Sequence, residues 1–220
     1  MALDERKRQQ KLAKKNAKRK KSIMTARQEQ STVVNLMNDP TSVAIATSAA
    51  VVYECHVSKK LFETGLGHAV ISKLMPNGRI AMSAFLLDVY CLGVRSISAK
   101  AMSPEEFREQ IRLIERQDPM AKKDASYVKK LVESAEAWAS GLGFSPHPDY
   151  HVAKQLLSDI VAENCTETFE FGKDGKPMFI QGPTDTAAKV RQVLATLTKS
   201  CGAGGFEALV MVGAAAGDNA

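Results

Sequence analysis

Two histidines four residues apart are the first candidates for chemistry in this chain. They lie in Pro146–His151, with an aspartate between them. Residues four apart share one face at the start of a helix, so His147 and His151 are expected to lie together. A thiol from Cys91 or Cys55 could then complete a Cys/His site or a metal site. The spacing matches no established zinc pattern. The alternative is structural: the two prolines shape a rigid loop and start a helix.

A single acidic residue interrupts a long apolar run. Asp88 lies within Phe85–Val94, which is otherwise almost entirely apolar. A carboxylate that is buried without a partner is costly enough to raise its pKa, and such groups cluster at functional sites. The alternative is again structural: a carboxylate at the end of a strand, paired with Arg95 or with backbone N–H groups.

These residues define one hypothesis, an enzyme that uses Asp88, Cys91, His147 and His151. It requires Asp88 and His147 to line one cleft. The sequence predicts no cofactor and no bound metal. The glycines at 65–67 and 202–205 lack the third glycine or the Lys-Ser/Thr pair of a phosphate-binding loop, so they are interpreted as turns.

The first half of the folded body is predicted to be a sheet of hairpins. Val51–Val57, His68–Leu74 and Arg79–Tyr90 are predicted strands, and the apolar run continues to Val94. The Asn-Gly pair at 77–78 is a strong hairpin signal. Apolar residues at nearly every position predict a central strand that is covered on both faces.

Helices follow the sheet, and a second hairpin interrupts them. Ser103-Pro104-Glu105-Glu106 has the pattern of a capping box, and helices are predicted over about 124–140, from Pro148, and over about 184–200. A hairpin of Thr166–Phe171 with Pro177–Gln181 is predicted around Asp174-Gly175, and a strand over Ala208–Val212. Strands followed by helices predict an α+β fold: an antiparallel sheet of hairpins packed against about four helices.

Positive charge is concentrated at the N-terminus. Residues 1–22 carry ten bases and two acids, a net charge of +8, whereas the remaining 198 residues carry 20 bases and 22 acids. The ten bases are Arg6, Lys7, Arg8, Lys11, Lys14, Lys15, Lys18, Arg19, Lys20 and Lys21. Apolar residues are too sparse for this segment to fold alone, so it is predicted to be disordered or a fluctuating helix.

A neutral body with a basic extension is the layout of a protein that binds a partner, because no fold requires it. We expect the ten bases to contact the phosphate backbone of nucleic acid, RNA (including ribosomal RNA) or DNA, without sequence preference. The segment holds no aromatic residue for stacking on bases. A solubility arm, a membrane-surface segment and a contact to an acidic protein are the alternatives. The membrane alternative lacks apolar anchors.

The predicted organisation is a basic arm (1–31), a linker (32–50), an α+β domain (51–203) and a C-terminal tail (204–220). Four widely spaced cysteines and no apolar leader predict free thiols and a cytoplasmic protein. No apolar run is long enough to span a bilayer. A non-enzymatic, nucleic-acid-associated protein is therefore the leading hypothesis. The enzyme and an adaptor that recognises another protein are the alternatives.

Several strings of the body resemble a family of uncharacterised bacterial proteins. They include Phe85–Val94 (FLLDVYCLGV), Gly143–Tyr150 (GFSPHPDY) and Phe171–Pro177 (FGKDGKP). The resemblance covers roughly residues 50–183. It implies that the body is one unit and that the protein is bacterial and intracellular, and it implies no activity.

Overall fold

The computed structural model describes residues 50–210. The predicted arm, nearly all of the predicted linker and residues 211–220 lie outside this part of the chain, and so does the prediction of a disordered or helical arm. The described residues form an α+β fold with an antiparallel sheet, which confirms the predicted class.

Five strands form the main sheet. They are β1 (Val51–Ser58), β2 (Leu66–Leu74), β3 (Ile80–Asp88), β4 (Gly93–Met102) and β5 (Met120–Lys122). Their order across the sheet is β4-β3-β2-β1-β5, and every neighbouring pair is antiparallel. A bulge between Val52 and Glu54 in β1 is bridged by Ser72, whose hydroxyl donates to the Glu54 carbonyl and accepts from the Glu54 N–H.

The hairpin between β2 and β3 forms at the predicted Asn-Gly turn. Gly78 has φ of 78°, a left-handed conformation that glycine adopts without strain. The Met75 N–H donates to the Arg79 carbonyl at 2.9 Å, and the Asn77 side chain accepts from the Arg79 N–H at 3.1 Å. β3 is buried along almost its whole length, as predicted for a central strand.

The apolar run that contains β3 does not stay extended to Val94. β3 ends at Asp88, the chain turns over residues 89–92, and β4, which the sequence analysis missed, begins at Gly93. The turn forms because the Asp88 carboxylate accepts two backbone N–H groups and Gly93 adopts φ of 64°. Its residues are apolar because the turn packs into the interior, where Val89 and Cys91 are fully buried.

Three longer helices and two single turns of helix accompany the sheet in residues 50–210. They are α1 (Leu61–Thr64), α2 (Pro104–Glu115), α3 (Ala125–Gly141), α4 (Tyr150–Ala153) and α5 (Ala187–Cys201). The predicted capping box is present, with reciprocal bonds between Ser103 and Glu106. The helix predicted from Pro148 is shorter than expected, because α4 is followed by a 3₁₀ turn over Lys154–Leu157.

The predicted hairpin around Asp174-Gly175 is wrong beyond its turn. Lys173 and Lys176 bond each other through both backbone groups, and the two residues between them have positive φ, as a two-residue hairpin turn requires. Thr166–Phe171 forms no strand. Instead β6 (Met178–Ile180) pairs in parallel with β7 (Glu207–Leu209), which lies in the segment assigned to the C-terminal tail.

Both faces of the main sheet are covered. One face packs against Phe107 and Ile111 of α2 through a cluster of aliphatic and methionine side chains. The alternate residues of β2 and β3 point the other way and are also buried. α3 contacts β1 to β4 and covers that second face. A separate cluster joins α5 and β6 to the turn between β3 and β4.

Candidate functional site

Asp88 lies at the C-terminal end of β3 and holds the following turn. One carboxylate oxygen accepts the N–H of Tyr90 at 3.1 Å and the N–H of Cys91 at 2.9 Å. Burial raises the pKa of Asp88 to about 6, although these N–H groups and the charge of Arg95 act in the opposite direction. Arg95 itself binds Asp185, with both carboxylate oxygens 2.7 Å from one of its nitrogens. The contacts of Asp88 are therefore those of the structural alternative, a carboxylate at a strand end.

Cys91 is a core residue. Its side chain is fully buried and packs against residues of β6 and α5, including Phe179 and Leu197. Burial raises the pKa of the Cys91 thiol, and the nearby Asp88 raises it further. Burial likewise raises the pKa of Cys55 to about 11. Both thiols are protonated at neutral pH and hence poor nucleophiles.

The two histidines contact their own segment. The Nδ1 atom of His147 accepts the Asp149 N–H at 3.2 Å, and the ring of His151 lies 2.9 Å from the Pro148 carbonyl. His147 precedes α4, so it does not share a helical face with His151 as expected. Within residues 50–210, no hydrogen bond or ion pair joins Asp88 or Cys91 to either histidine. No group of three or more His, Cys, Asp or Glu in that range is placed to hold a metal ion.

A serine, a histidine and an aspartate meet elsewhere in the fold, and the sequence analysis missed them. Ser58 ends β1, His68 belongs to β2, and Asp118 lies in the loop before β5. One Asp118 oxygen accepts from the Ser58 hydroxyl and lies 2.8 Å from Nδ1 of His68. In a hydrolytic triad the serine bonds the histidine, which in turn bonds the aspartate. Here the serine bonds the aspartate directly, so the three residues tie the loop to two strands and do not form an activated nucleophile.

A second buried carboxylate, Glu136, accepts the backbone N–H of Val94 from the face of α3. One of its oxygens has no hydrogen-bond partner, and burial raises its pKa. Helical periodicity could have identified it, because Glu136 lies four residues after the buried Val132.

An aromatic-lined cavity of about 470 Å³ lies beside the 165–171 segment. A second cavity, of about 390 Å³, shares Tyr127 and Glu167 with the first, so the two form one groove. The ammonium group of Lys130 holds the segment against α3 by donating to the carbonyls of Cys165 and Glu167, at 2.8 and 2.7 Å. Asp88, Cys91, His147 and His151 do not line either cavity. No sequence pattern predicted the groove, because the residues that line it come from four separate segments of the chain.

The described part of the chain has no net charge. Residues 50–210 contain 19 Lys or Arg and 19 Asp or Glu. The ten bases between Arg6 and Lys21, which were predicted to contact nucleic acid, lie outside these residues. The net charge of +6 therefore comes from the residues outside 50–210.

Within residues 50–210, no helix is both long and apolar enough to cross a membrane. Comparison with protein-family models, with curated proteins and with solved structures found no match for the chain.

Proposed function

We propose that this chain is a non-enzymatic, nucleic-acid-associated protein in which the basic arm (1–31) binds phosphate groups and the α+β body is carried with it. The charge distribution supports this proposal. One third of the 30 bases lie between Arg6 and Lys21, whereas the bases and acids of residues 50–210 are equal in number. A body without net charge offers no general attraction to a polyanion, so the arm is the natural contact.

The chemistry of the arm favours the nucleic-acid backbone over the bases. Each Lys or Arg that neutralises a phosphate releases a condensed counterion, and this release drives binding. Residues 1–31 contain no aromatic side chain and no histidine, so stacking on unpaired bases does not contribute. The arm would therefore bind RNA or DNA with little sequence preference.

The contacts in the body favour this proposal over the enzyme. Asp88 is engaged by backbone N–H groups, Cys91 is a buried thiol, and each histidine contacts its own segment. None of these side chains is presented as a nucleophile or as a base to a cavity.

The test compares two full-length variants that lose the same charge at different places. The arm variant replaces Lys18, Arg19, Lys20 and Lys21 by Gln. The matched control replaces three lysines and one arginine that are exposed on the body, namely Lys60, Lys176, Arg191 and Lys199. Both variants lose four positive charges, so only the position differs.

Binding is measured by fluorescence anisotropy on a single-stranded RNA and a duplex DNA over a range of salt concentrations. If five to eight phosphates are neutralised, log K should fall against log salt with a slope on the order of −4 to −7. The arm variant should weaken binding to every sequence alike and make the slope shallower by several units. The control should retain the affinity and slope of the unmodified chain. Equal losses in the two variants would mean that only net charge matters, and the proposal would fail.

A further inference from the structure

Four aromatic rings from four segments line the larger cavity of the groove. Phe62 comes from α1, Tyr90 from the turn between β3 and β4, Tyr127 from the start of α3, and Phe169 from the 165–171 segment. Phe62 and Phe169 are nearly parallel, at 8° and 5.9 Å between centroids. Tyr127 meets Phe169 edge-on at 5.1 Å. The hydroxyl of Tyr90 lies within bonding distance of the carbonyls of Phe62 and Glu63, which fixes its ring.

The charged lining of this cavity is mainly acidic. Glu167, Glu170 and Asp174 contribute three carboxylates, and Lys173 contributes one ammonium group. Lys123 adds a second ammonium group, because it pairs with Glu167 at 3.6 Å. The three carboxylates therefore exceed the ammonium groups by one, which disfavours phosphates and other anions, so the cavity is not proposed as a second contact for nucleic acid.

The chain already places cations on two of these rings. The ammonium nitrogen of Lys123 lies 4.2 Å from the centroid of Tyr127, and that of Lys173 lies 5.8 Å from the centroid of Tyr90. Both distances fall within the range of a cation–π contact. These two buried rings therefore already attract a positive group, and a cationic ligand would take the place of the Lys123 or Lys173 ammonium group over them.

We propose that this cavity binds an alkylated ammonium group, either of a free small molecule or of a methylated lysine side chain. Aromatic faces attract a cation and take its methyl groups out of water, and this combination is the general means of recognising quaternary ammonium ligands. Because Glu167 is paired with Lys123, Glu170 and Asp174 supply the opposite charge. A volume of about 470 Å³ accommodates a trimethylammonium head together with the start of the chain that carries it. The site goes beyond the proposed nucleic-acid contact and does not depend on it.

The first experiment separates charge from shape, using the full-length chain. Choline and 3,3-dimethylbutan-1-ol have nearly the same shape, but only choline carries a charge. Titration of each compound, followed by the NMR signals of the protein's aromatic rings, should show saturable shifts with choline and none with the alcohol. Equal binding of the two compounds, or binding of neither, would overturn the proposal.

A peptide containing trimethyllysine distinguishes the two sources of the ligand. If the peptide binds more than about tenfold more tightly than choline, the source is a methylated protein, because such a gain requires contacts beyond the head group. Similar affinities for the peptide and for choline assign the site to a small molecule.

Two variants and a control locate the binding in the cavity. Phe62→Leu keeps an apolar side chain but removes one aromatic face, and Glu170→Gln removes one exposed carboxylate. Each should weaken choline binding about two- to fivefold, the range expected for an exposed cation–π contact or a surface ion pair. Glu163→Gln removes an exposed carboxylate of the 3₁₀ turn Ala162–Asn164, outside both cavities, and should leave choline binding unchanged. If all three variants bind choline like the unmodified chain, the cation does not occupy this cavity and the proposal is wrong.

Discussion

Replacing Asp88 by Asn should change how the stability of the body depends on pH. Burial raises the pKa of Asp88 from 3.8 to about 6, so the folded protein holds this proton more tightly than the unfolded chain. Asp88 therefore favours the folded state below about pH 4, and this contribution is lost as pH rises through about 6. At about 1.4 kcal/mol per pKa unit, the shift corresponds to about 3 kcal/mol.

The Asn variant isolates this effect because its amide oxygen can still accept the N–H groups of Tyr90 and Cys91. The difference in unfolding free energy between Asp88→Asn and the unmodified chain should grow by about 3 kcal/mol in favour of the variant as the pH rises from 4 to 7.5. Urea unfolding followed by circular dichroism at a series of pH values measures the difference. Glu163→Gln, which removes an exposed carboxylate, controls for the loss of one charge. If the curves of Asp88→Asn and the unmodified chain run parallel, Asp88 does not titrate in this window and the reasoning is refuted.

Two further substitutions test the packing of the sheet, with unfolding free energy as the measurement. Gly93→Ala should cost more than about 2 kcal/mol, because the new Cβ would lie 2.8 Å from the Ala135 carbonyl oxygen and the backbone has a φ of 64°. Gly141→Ala is the control and should cost nothing, because the space around Gly141 is open. Equal losses in the two variants would contradict the close approach of Gly93 to α3. Lys73 is fully buried and paired with Asp159, so Asp159→Ala should destabilise by several kcal/mol by leaving the ammonium group unpaired. Lys73→Met should leave the unfolding free energy nearly unchanged. A larger loss of unfolding free energy in Lys73→Met than in Asp159→Ala would show that the ion pair itself stabilises the fold.

Local signals in the sequence predicted the elements whose stability is itself local. The Asn-Gly turn at 77–78 and the capping box at Ser103 are each completed by contacts within a few residues. The β3–β4 turn was missed because its apolar residues are buried in the core. With them, the run from Phe85 to Val94 has the composition of one long strand. Asp88 and Gly93, which start and end that turn, are the signals that could have revealed it.

The remaining differences come from contacts between distant segments. Thr166–Phe171 has the composition of a strand, but Lys130 binds its carbonyls, and Phe169 packs against rings of α1 and α3. β6 pairs instead with residues nearly thirty positions later in the chain. The aromatic cavity is a product of the same contacts. Local sequence patterns do not specify pairings between distant segments, because each segment is equally suited to pack against several others.

Ionic strength should separate the two proposed binding activities, since they depend on charge in different ways. Nucleic acid bound through the arm releases several counterions, so its affinity should fall by several orders of magnitude between 50 and 500 mM salt. A single cation in the aromatic cavity is partly shielded from salt and held in part by ring faces, so its affinity should fall only about a few-fold over the same range. Measuring both on the full-length chain at each salt concentration requires no truncation. Choline binding that declined as steeply as RNA binding would indicate a diffuse surface attraction in place of the four-ring site.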